Sequence, residues 1–346
     1  MPSPLSLPYA YGEPALTADL RVSPDDFIVD EMLGFSPSGH GEHLFVLVEK
    51  RNANTHYVAE ALARQARIKS RDVGYAGIKD RRALCRQWFS LALPGKTDPD
   101  FSGWCGNGWR VLDGRRHDRK LRRGVHRGNR FDISLRQCAG DVSDLAHRIE
   151  LITQLGVPNY FGEQRFGRDG DNVVQALSRL STGRPPSRHQ RSIYLSALRS
   201  FLFNQVLARR VVESRWNQLV AGDILMLAGT GSVFPSDDSA DLIGRVESGD
   251  LTPTGLLYGS PGKLTASSEA LAIELAVAEE HRDICGMLDR ADVGAARRAL
   301  RVIPGGFSCQ RTAGDTLHCT FTLPRGSYAT AVLRELCQYR IINSDE

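Results

Sequence analysis

A strand that arrives late in the chain restricts the fold more than any other feature. Leu317, Cys319, Phe321 and Leu323 alternate with His318, Thr320 and Thr322, the period of two that marks a half-buried strand. A lone strand needs a sheet, and strand texture is otherwise concentrated in the first third of the chain. Residues 27–32 and 44–48 are apolar and β-rich, 88–93 alternate loosely, and Phe131, Ile133 and Leu135 alternate with Asp132, Ser134 and Arg136. Between these regions the pattern is mainly helical. The chain is therefore expected to leave a sheet and return to it, giving a mixed α+β domain with a second domain inserted. The expected boundaries are 1–154 for the first part of the sheet domain, 155–304 for the insertion and 305–346 for the last part.

Within this outline, Asn54 or Thr55 caps a helix running to about Arg67, and residues 141–155 fit a helix stopped by Gly156 and Pro158. Residues 190–219 place Ile193, Leu198, Phe201, Leu202, Val206 and Val211 at the spacing of one long buried helix. Residues 222–263 read as looser, 267–288 and 292–302 as helical, and a last helix is expected over about 327–339.

The 346 residues are 41% hydrophobic and 24% charged, ordinary for a globular chain. Charge is unevenly placed. Residues 110–130, RVLDGRRHDRKLRRGVHRGNR, hold nine Arg or Lys against Asp113 and Asp118, a net +7, so the rest of the chain carries −3 of the total +4. Such a concentration is the electrostatic footprint of a polyanion site, although a solvated basic loop would look the same. Of the 44 basic residues 38 are Arg, whose planar guanidinium binds phosphate bidentately and stacks on bases. No run approaches a membrane span, and the first ten residues lack a basic start and a long apolar stretch, so a cytoplasmic protein without membrane association is expected. Seven cysteines without a Cys-x-x-Cys pair argue against a disulfide framework or a structural zinc.

Gly259-Ser260-Pro261-Gly262-Lys263 lacks the spacing of a phosphate loop, and no Gly-x-Gly-x-x-Gly follows a strand. His40-Gly41-Glu42-His43 reads as a turn rather than a metal site, and neither a metal nor a cofactor is expected. The chemical group that stands out is Asp80, a single carboxylate in GYAGIKDRRALCRQWFS among Lys79, Arg81, Arg82 and Arg86. Neighbouring cations favour the ionised carboxylate. Spacing leaves two readings open: an ion pair in a loop, or a reactive carboxylate inside a phosphate-attracting collar.

Seven segments, in order, resemble the TruD family of tRNA pseudouridine synthases: SPDDFIVDE (23–31), GYAGIKDRRALCRQWFS (74–90), GNRFDI (128–133), NYFGEQRFGRDGDN (159–172), SALRSFLFNQVLARRV (196–211), GDILMLAGTGSVF (222–234) and LPRGSYATAVLREL (323–336). The resemblance implies a pseudouridine-synthase-type catalytic domain around a mixed, largely antiparallel sheet, interrupted by an inserted α/β TRUD domain. It implies isomerisation of uridine to pseudouridine in tRNA, at position 13, with an essential aspartate and no cofactor. The partner implied is tRNA, with no obligate protein partner and a monomeric enzyme. An enzyme of the same chemistry with another RNA target, or a non-catalytic RNA-binding or RNA-folding protein on the same scaffold, are the alternatives.

By the same resemblance Asp80 is the catalytic aspartate, and Arg21, where the family commonly has lysine, is its ionic partner. Phe27, Asn129, Phe131 and Tyr328 match positions of the substrate pocket, with Tyr328 standing where phenylalanine is usual. The RNA backbone is expected to meet Lys79, Arg81, Arg115, Arg116, Arg119, Lys120, Arg122 and Arg123. Residues 254–259 depart from a family segment that more often carries proline and tryptophan, which bears on substrate choice rather than chemistry.

Overall fold

Eleven strands from three separated stretches of sequence form one sheet. In the computed structural model, which describes residues 4–167, 170–181, 186–262, 264–312 and 314–342, the strands lie in the order Gly305–Arg311, Leu317–Pro324, Gly128–Ala139, Phe27–Met32, Leu84–Ala92, His43–Arg51, Trp109–His117 and Cys105–Gly106. Thr17–Leu20 pairs with both Gly128–Ala139 and Gln338–Ile341, and Val73–Tyr75 pairs with Leu84–Ala92. Two pairings are parallel, Phe27–Met32 with Leu84–Ala92 and Thr17–Leu20 with Gln338–Ile341, and the others are antiparallel. The α+β class and the mixed, largely antiparallel sheet expected from the sequence are therefore present. The late strand pairs with Gly128–Ala139 along its whole length, from Leu317 opposite Leu135 to Pro324 opposite Gly128.

The sheet belongs to a compact unit made of Ala15–Asp144, Pro304–Gly326 and the segment from Cys337 onward. The other unit takes the chain up to Pro14, Leu145–Ile303 and Ser327–Leu336. The chain thus passes between units at 144/145 and 303/304, and the helical unit also includes the N-terminal segment and a stretch after the late strand.

The helical unit is organised by Arg188–Val212, which starts at Ser187, whose hydroxyl accepts the Gln190 N–H. Its Leu198, Phe201, Phe203 and Leu207 are buried in one cluster with Phe166, Ile284 and Leu288. A four-stranded antiparallel sheet, ordered Val233–Pro235, Ile224–Leu227, Leu251–Leu257 and Ala296–Ala299, occupies sequence expected to be loose or helical.

Three expectations are corrected here. Residues 292–302 are not helical: Ala296–Ala299 pairs with Leu251–Leu257, Arg297 meets the buried Glu274, and Leu300 is buried, so edge pairing overrides alanine-rich propensity. The helix over 267–288 is two, Ser268–Glu280 and Arg282–Arg290, broken at His281, whose ring packs edge-on against Phe201. The last helix is only Ala329–Leu333, because Gln338–Ile341 is taken up as the parallel partner of Thr17–Leu20. Nearer expectation, Leu145–Leu155 ends at Gly156, whose φ of 77° suits glycine alone at low cost. Its start is delayed because Asp141 accepts from the Ser143 N–H and hydroxyl in a local turn.

Arg210 and Asp223 form a buried bidentate pair, with N–O distances of 3.1 and 2.9 Å, and Asp223 also accepts the Val220 N–H. Replacing Arg210 with Met leaves the carboxylate buried without its cation, and the variant is expected to lose about 3–5 kcal/mol of stability. Urea unfolding measures this, and an unchanged midpoint would contradict it.

Candidate active site

Residues in register on neighbouring strands point to the same side of a sheet. Phe321 faces Phe131, Phe131 faces Val29, Val29 faces Cys85, and Cys85 faces Lys50. On the same face Asn129 is opposite Glu31, and Gln87 is opposite Val48. Part of this face is apolar: Val46, Val48, Phe89 and Leu91 cluster with Val58 and Leu62 of the helix Thr55–Gln65. Elsewhere the same buried phase carries Glu31, Gln87 and Lys50.

The irregular segment 76–83, between Val73–Tyr75 and Leu84–Ala92, is held by these polar groups. Buried backbone N–H and C=O groups must find partners, and here side chains supply them. Gln87 Nε2 donates to the Gly77 carbonyl at 2.6 Å, and the Lys79 N–H donates to Thr55 Oγ1 at 3.1 Å. The Thr55 hydroxyl donates in turn to Gln87 Oε1 at 3.1 Å. Lys50 Nζ donates to the carbonyls of Asp80 at 2.6 Å and Ala53 at 3.0 Å, with the Lys79 carbonyl at 3.5 Å. Lys79 Nζ lies 2.8 Å from Glu31 Oε1 and donates to Asn129 Oδ1 at 2.6 Å. Glu31 Oε2 accepts the Trp88 N–H at 3.1 Å. Burial pushes the Glu31 carboxyl up from its ordinary value, against the pull of Lys79 and the Trp88 N–H, and burial pushes the Lys50 ammonium down.

Asp80 is presented on this support with its side chain 25% exposed. Its Oδ2 accepts from Arg21 at 2.7 Å, and Arg21 is 9% exposed, its guanidinium carbon 4.2 Å from the centre of the Phe27 ring. Arg21 has φ 64°, a region sparsely used by residues other than glycine, at the turn between Thr17–Leu20 and Pro24–Asp26. Asp80 Oδ1 has no hydrogen-bond partner among the described residues. The arrangement is a carboxylate with one oxygen fixed by a largely buried cation and the other available.

Of the other residues singled out in the sequence, Phe27 and Phe131 are buried and meet edge-to-face at 6.2 Å, and Phe131 stacks on Phe321 at 5.4 Å. They form a packed aromatic layer beside the Arg21–Asp80 pair. Asn129 is half-buried, and because its Oδ1 is taken by Lys79, its Nδ2 hydrogens are the ones left to donate. Tyr328 lies in the helical unit, its hydroxyl accepting from Arg165 Nε at 3.1 Å and its ring 5.9 Å from Phe161. Arg168 and Asp169 of the segment NYFGEQRFGRDGDN, and Lys263, are outside the described residues.

The basic residues divide into two groups. Lys79 is buried on Glu31 and Asn129, so its ammonium serves the interior and not a surface polyanion. Arg116, 13% exposed, bonds Asp98 and the carbonyls of Gly41, Leu93 and Lys96, tying loops together. Arg81, Arg115, Arg119, Arg122 and Arg123 are exposed. Lys120 donates to the Arg71 carbonyl at 2.5 Å, and Arg123 donates to the Tyr75 hydroxyl at 3.0 Å. Lys120, Arg122, Arg123, Tyr75 and His56 line an open cavity of about 410 Å³. The first half of the basic segment is the strand Trp109–His117 rather than a loop.

Sequence reasoning missed Glu31, Lys50, Thr55 and Gln87. The signal was available for three of them. Glu31 continues the phase of Phe27 and Val29, Lys50 that of Leu44, Val46 and Val48, and Gln87 lies between Cys85 and Phe89. A charged or amide group in the apolar phase of a strand requires a buried partner.

The comparisons with known proteins agree with one another. A family model described as tRNA pseudouridine synthase D (TruD) matches residues 6–174 and 168–336. A tRNA pseudouridine synthase D from Hydrogenovibrio crunogenus is 43% identical over 346 residues, covering 99% of both chains. One from Methylococcus capsulatus is 44% identical over 335 residues, covering 96% of this chain and 94% of that one, and one from Ectopseudomonas mendocina is 45% identical over 330. A crystal structure assigned to a tRNA pseudouridine synthase D of Methanosarcina mazei matches with a TM-score of 0.67 over 96% of each chain, and at 22% identity it carries the fold alone.

His126 stands beside the 76–83 segment, its Cε1 3.5 Å from where a Cβ on Gly77 would lie. Burial and the nearby charges of Lys79 and Arg325 push it down to about 4. In the unfolded chain histidine takes its proton near pH 6.5, so between these values the unfolded state binds more protons and stability must fall as pH is lowered. Urea midpoints at pH 6.5 and pH 5 are expected to show this loss, and His126→Gln to remove part of it. Equal losses in both proteins would contradict the assignment.

Proposed function

The chain belongs to the TruD family of tRNA pseudouridine synthases, and on that footing we propose that Asp80 is its catalytic aspartate and uridine 13 of tRNA its target. As a member of the family it isomerises uridine in tRNA to pseudouridine. The N1–C1′ bond breaks, the uracil turns, and a C5–C1′ bond forms. C5 loses its proton and N1 gains one, so nothing is consumed.

The observation that carries the role of Asp80 is its partition into two oxygens. Oδ2 is held by Arg21 at 2.7 Å, which keeps the carboxylate oriented. Oδ1 is left for the sugar, either to attack C1′ or to take the proton at C2′. Once the new bond has formed, the same carboxylate is placed to assist loss of the C5 proton. A uridine in folded tRNA is stacked or paired, so it must be flipped out to reach this group.

Asn129, whose Oδ1 is occupied by Lys79, addresses the uracil through its Nδ2 hydrogens, which match a carbonyl oxygen of the base. Phe27 and Phe131 serve beneath the site, as a buried aromatic layer that fixes Arg21 and walls the base pocket. For Tyr328 the support is the family resemblance. RNA phosphates are bound by Arg81, Arg115, Arg119, Lys120, Arg122 and Arg123, of which Lys120, Arg122 and Arg123 line the cavity with Tyr75. The same reading has the enzyme acting as a monomer in the cytoplasm, where its substrate is, without a membrane or an obligate protein partner.

Incubating unmodified tRNA transcripts with the enzyme and mapping pseudouridine is expected to find product at position 13. Asp80→Asn should lower the rate at least about a thousandfold, roughly 4 kcal/mol of barrier, while tRNA binding persists. Product elsewhere would overturn the target, and an active Asp80→Asn the role of the carboxylate. Arg122→Ala should reduce the slope of log binding constant against log salt by about one unit or less. An unchanged slope would remove Arg122 from the RNA contacts.

A further inference from the structure

Lys50 is fully buried, on the strand His43–Arg51. A lysine ammonium is costly to bury unless paired, and the usual partner is a carboxylate. Among the described residues no carboxylate forms an ion pair with it: the ammonium donates to three main-chain carbonyls, those of Asp80, Ala53 and Lys79, and meets the Cys85 thiol. The shortest of the three, at 2.6 Å, goes to Asp80 itself. The sheet beneath provides no reason for the charge, since an apolar side chain at this position would continue the run of Leu44, Val46 and Val48. The ammonium is explained by what it holds.

We propose that Lys50 is a positioning residue for Asp80, clamping the carbonyls of Lys79 and Asp80 from below and so fixing where the carboxylate stands relative to the bound sugar. The inference rests on the assignment of the chemistry to Asp80. Segment 76–83 has no helix or ladder to hold its main chain, and it is anchored by the Gln87 amide, the Thr55 hydroxyl and the Lys50 ammonium. Of these only the ammonium reaches the peptide of Asp80, whose carbonyl also accepts from Cys85 Sγ at 3.6 Å. Arg21 restrains the carboxylate from its other end through Oδ2. With both ends held, Oδ1 has a defined position, whereas with Lys50 removed Asp80 would swing about its contact with Arg21. A displacement of about 1 Å in a reacting group can lower a rate about a hundredfold. Lys50 has no exposed surface to offer RNA, so tRNA affinity should be indifferent to it.

The test is single-turnover pseudouridine formation, with enzyme and tRNA transcript mixed at equal concentrations well above Kd, by Lys50→Met, Lys50→Arg and Asp80→Asn, with tRNA binding measured for each. A structural loss lowers the amplitude, because less enzyme is folded. A positioning loss lowers the rate constant at full amplitude. Lys50→Met is expected to turn over about 30- to 100-fold more slowly, with tRNA binding within about twofold of the wild type. Lys50→Arg keeps the charge but spreads it over a planar fork that cannot meet the same carbonyls, and about a tenfold loss of rate constant is expected. If Lys50→Met does not fold, Lys50→Arg decides. A wild-type rate constant in whichever variant folds would overturn the proposal. An active Asp80→Asn would instead overturn the reading on which it rests.

Discussion

Everything at the site depends on polar groups set into the buried phase of three neighbouring strands. Glu31, Gln87 and Lys50 occupy positions where the sheet elsewhere places Val29, Phe89 and Val48. A buried charge or amide without partners would unfold the region. Each of them has a partner in one segment, 76–83, whose own main chain has no regular pairing. Two deficits therefore cancel: the sheet supplies donors and acceptors that the loop lacks, and the loop covers groups that the sheet could not bury alone. Asp80 is carried at the exposed side of that exchange.

This arrangement separates two kinds of cation that look alike in sequence. Lys79 and Arg81 flank Asp80, yet Lys79 turns inward to Glu31 and Asn129 while Arg81 is exposed. The cation that does pair with Asp80 comes from 59 positions away, as Arg21. Within the basic segment Arg116 is consumed by Asp98 and three carbonyls, whereas Arg122 and Arg123 remain at the surface beside Tyr75. Local charge density does not say which basic side chains are spent on the protein's own groups and which stay at the surface. That is decided by burial and by which carbonyls need a donor.

The sheet was legible where the period of two is unbroken, as in Phe27–Met32, Gly128–Ala139 and Leu317–Pro324, because alternation reports directly on a half-buried face. Residues 292–302 misled, since ARRALRV has helical composition and it is the edges of Leu251–Leu257 and Val157–Pro158 that make it strand. The short strand Gln338–Ile341 was hidden for the same reason, its partner lying more than 300 residues away at Thr17–Leu20. For the site, charge context made Asp80 stand out, and resemblance favoured one of its two readings and added Arg21 and Asn129. Lys50 and Glu31 were legible in principle as charges out of place in apolar strands, a signal of buried partnership that does not name the partner.

The most direct measurement is a structure of the Asp80→Asn protein bound to an unmodified tRNA transcript. The expected result is nucleotide 13 turned out of the RNA, its C1′ within about 3.5 Å of the residue-80 side chain, with the uracil carbonyl facing Asn129 Nδ2. A bound tRNA with no nucleotide at residue 80, or with another nucleotide there, would contradict it.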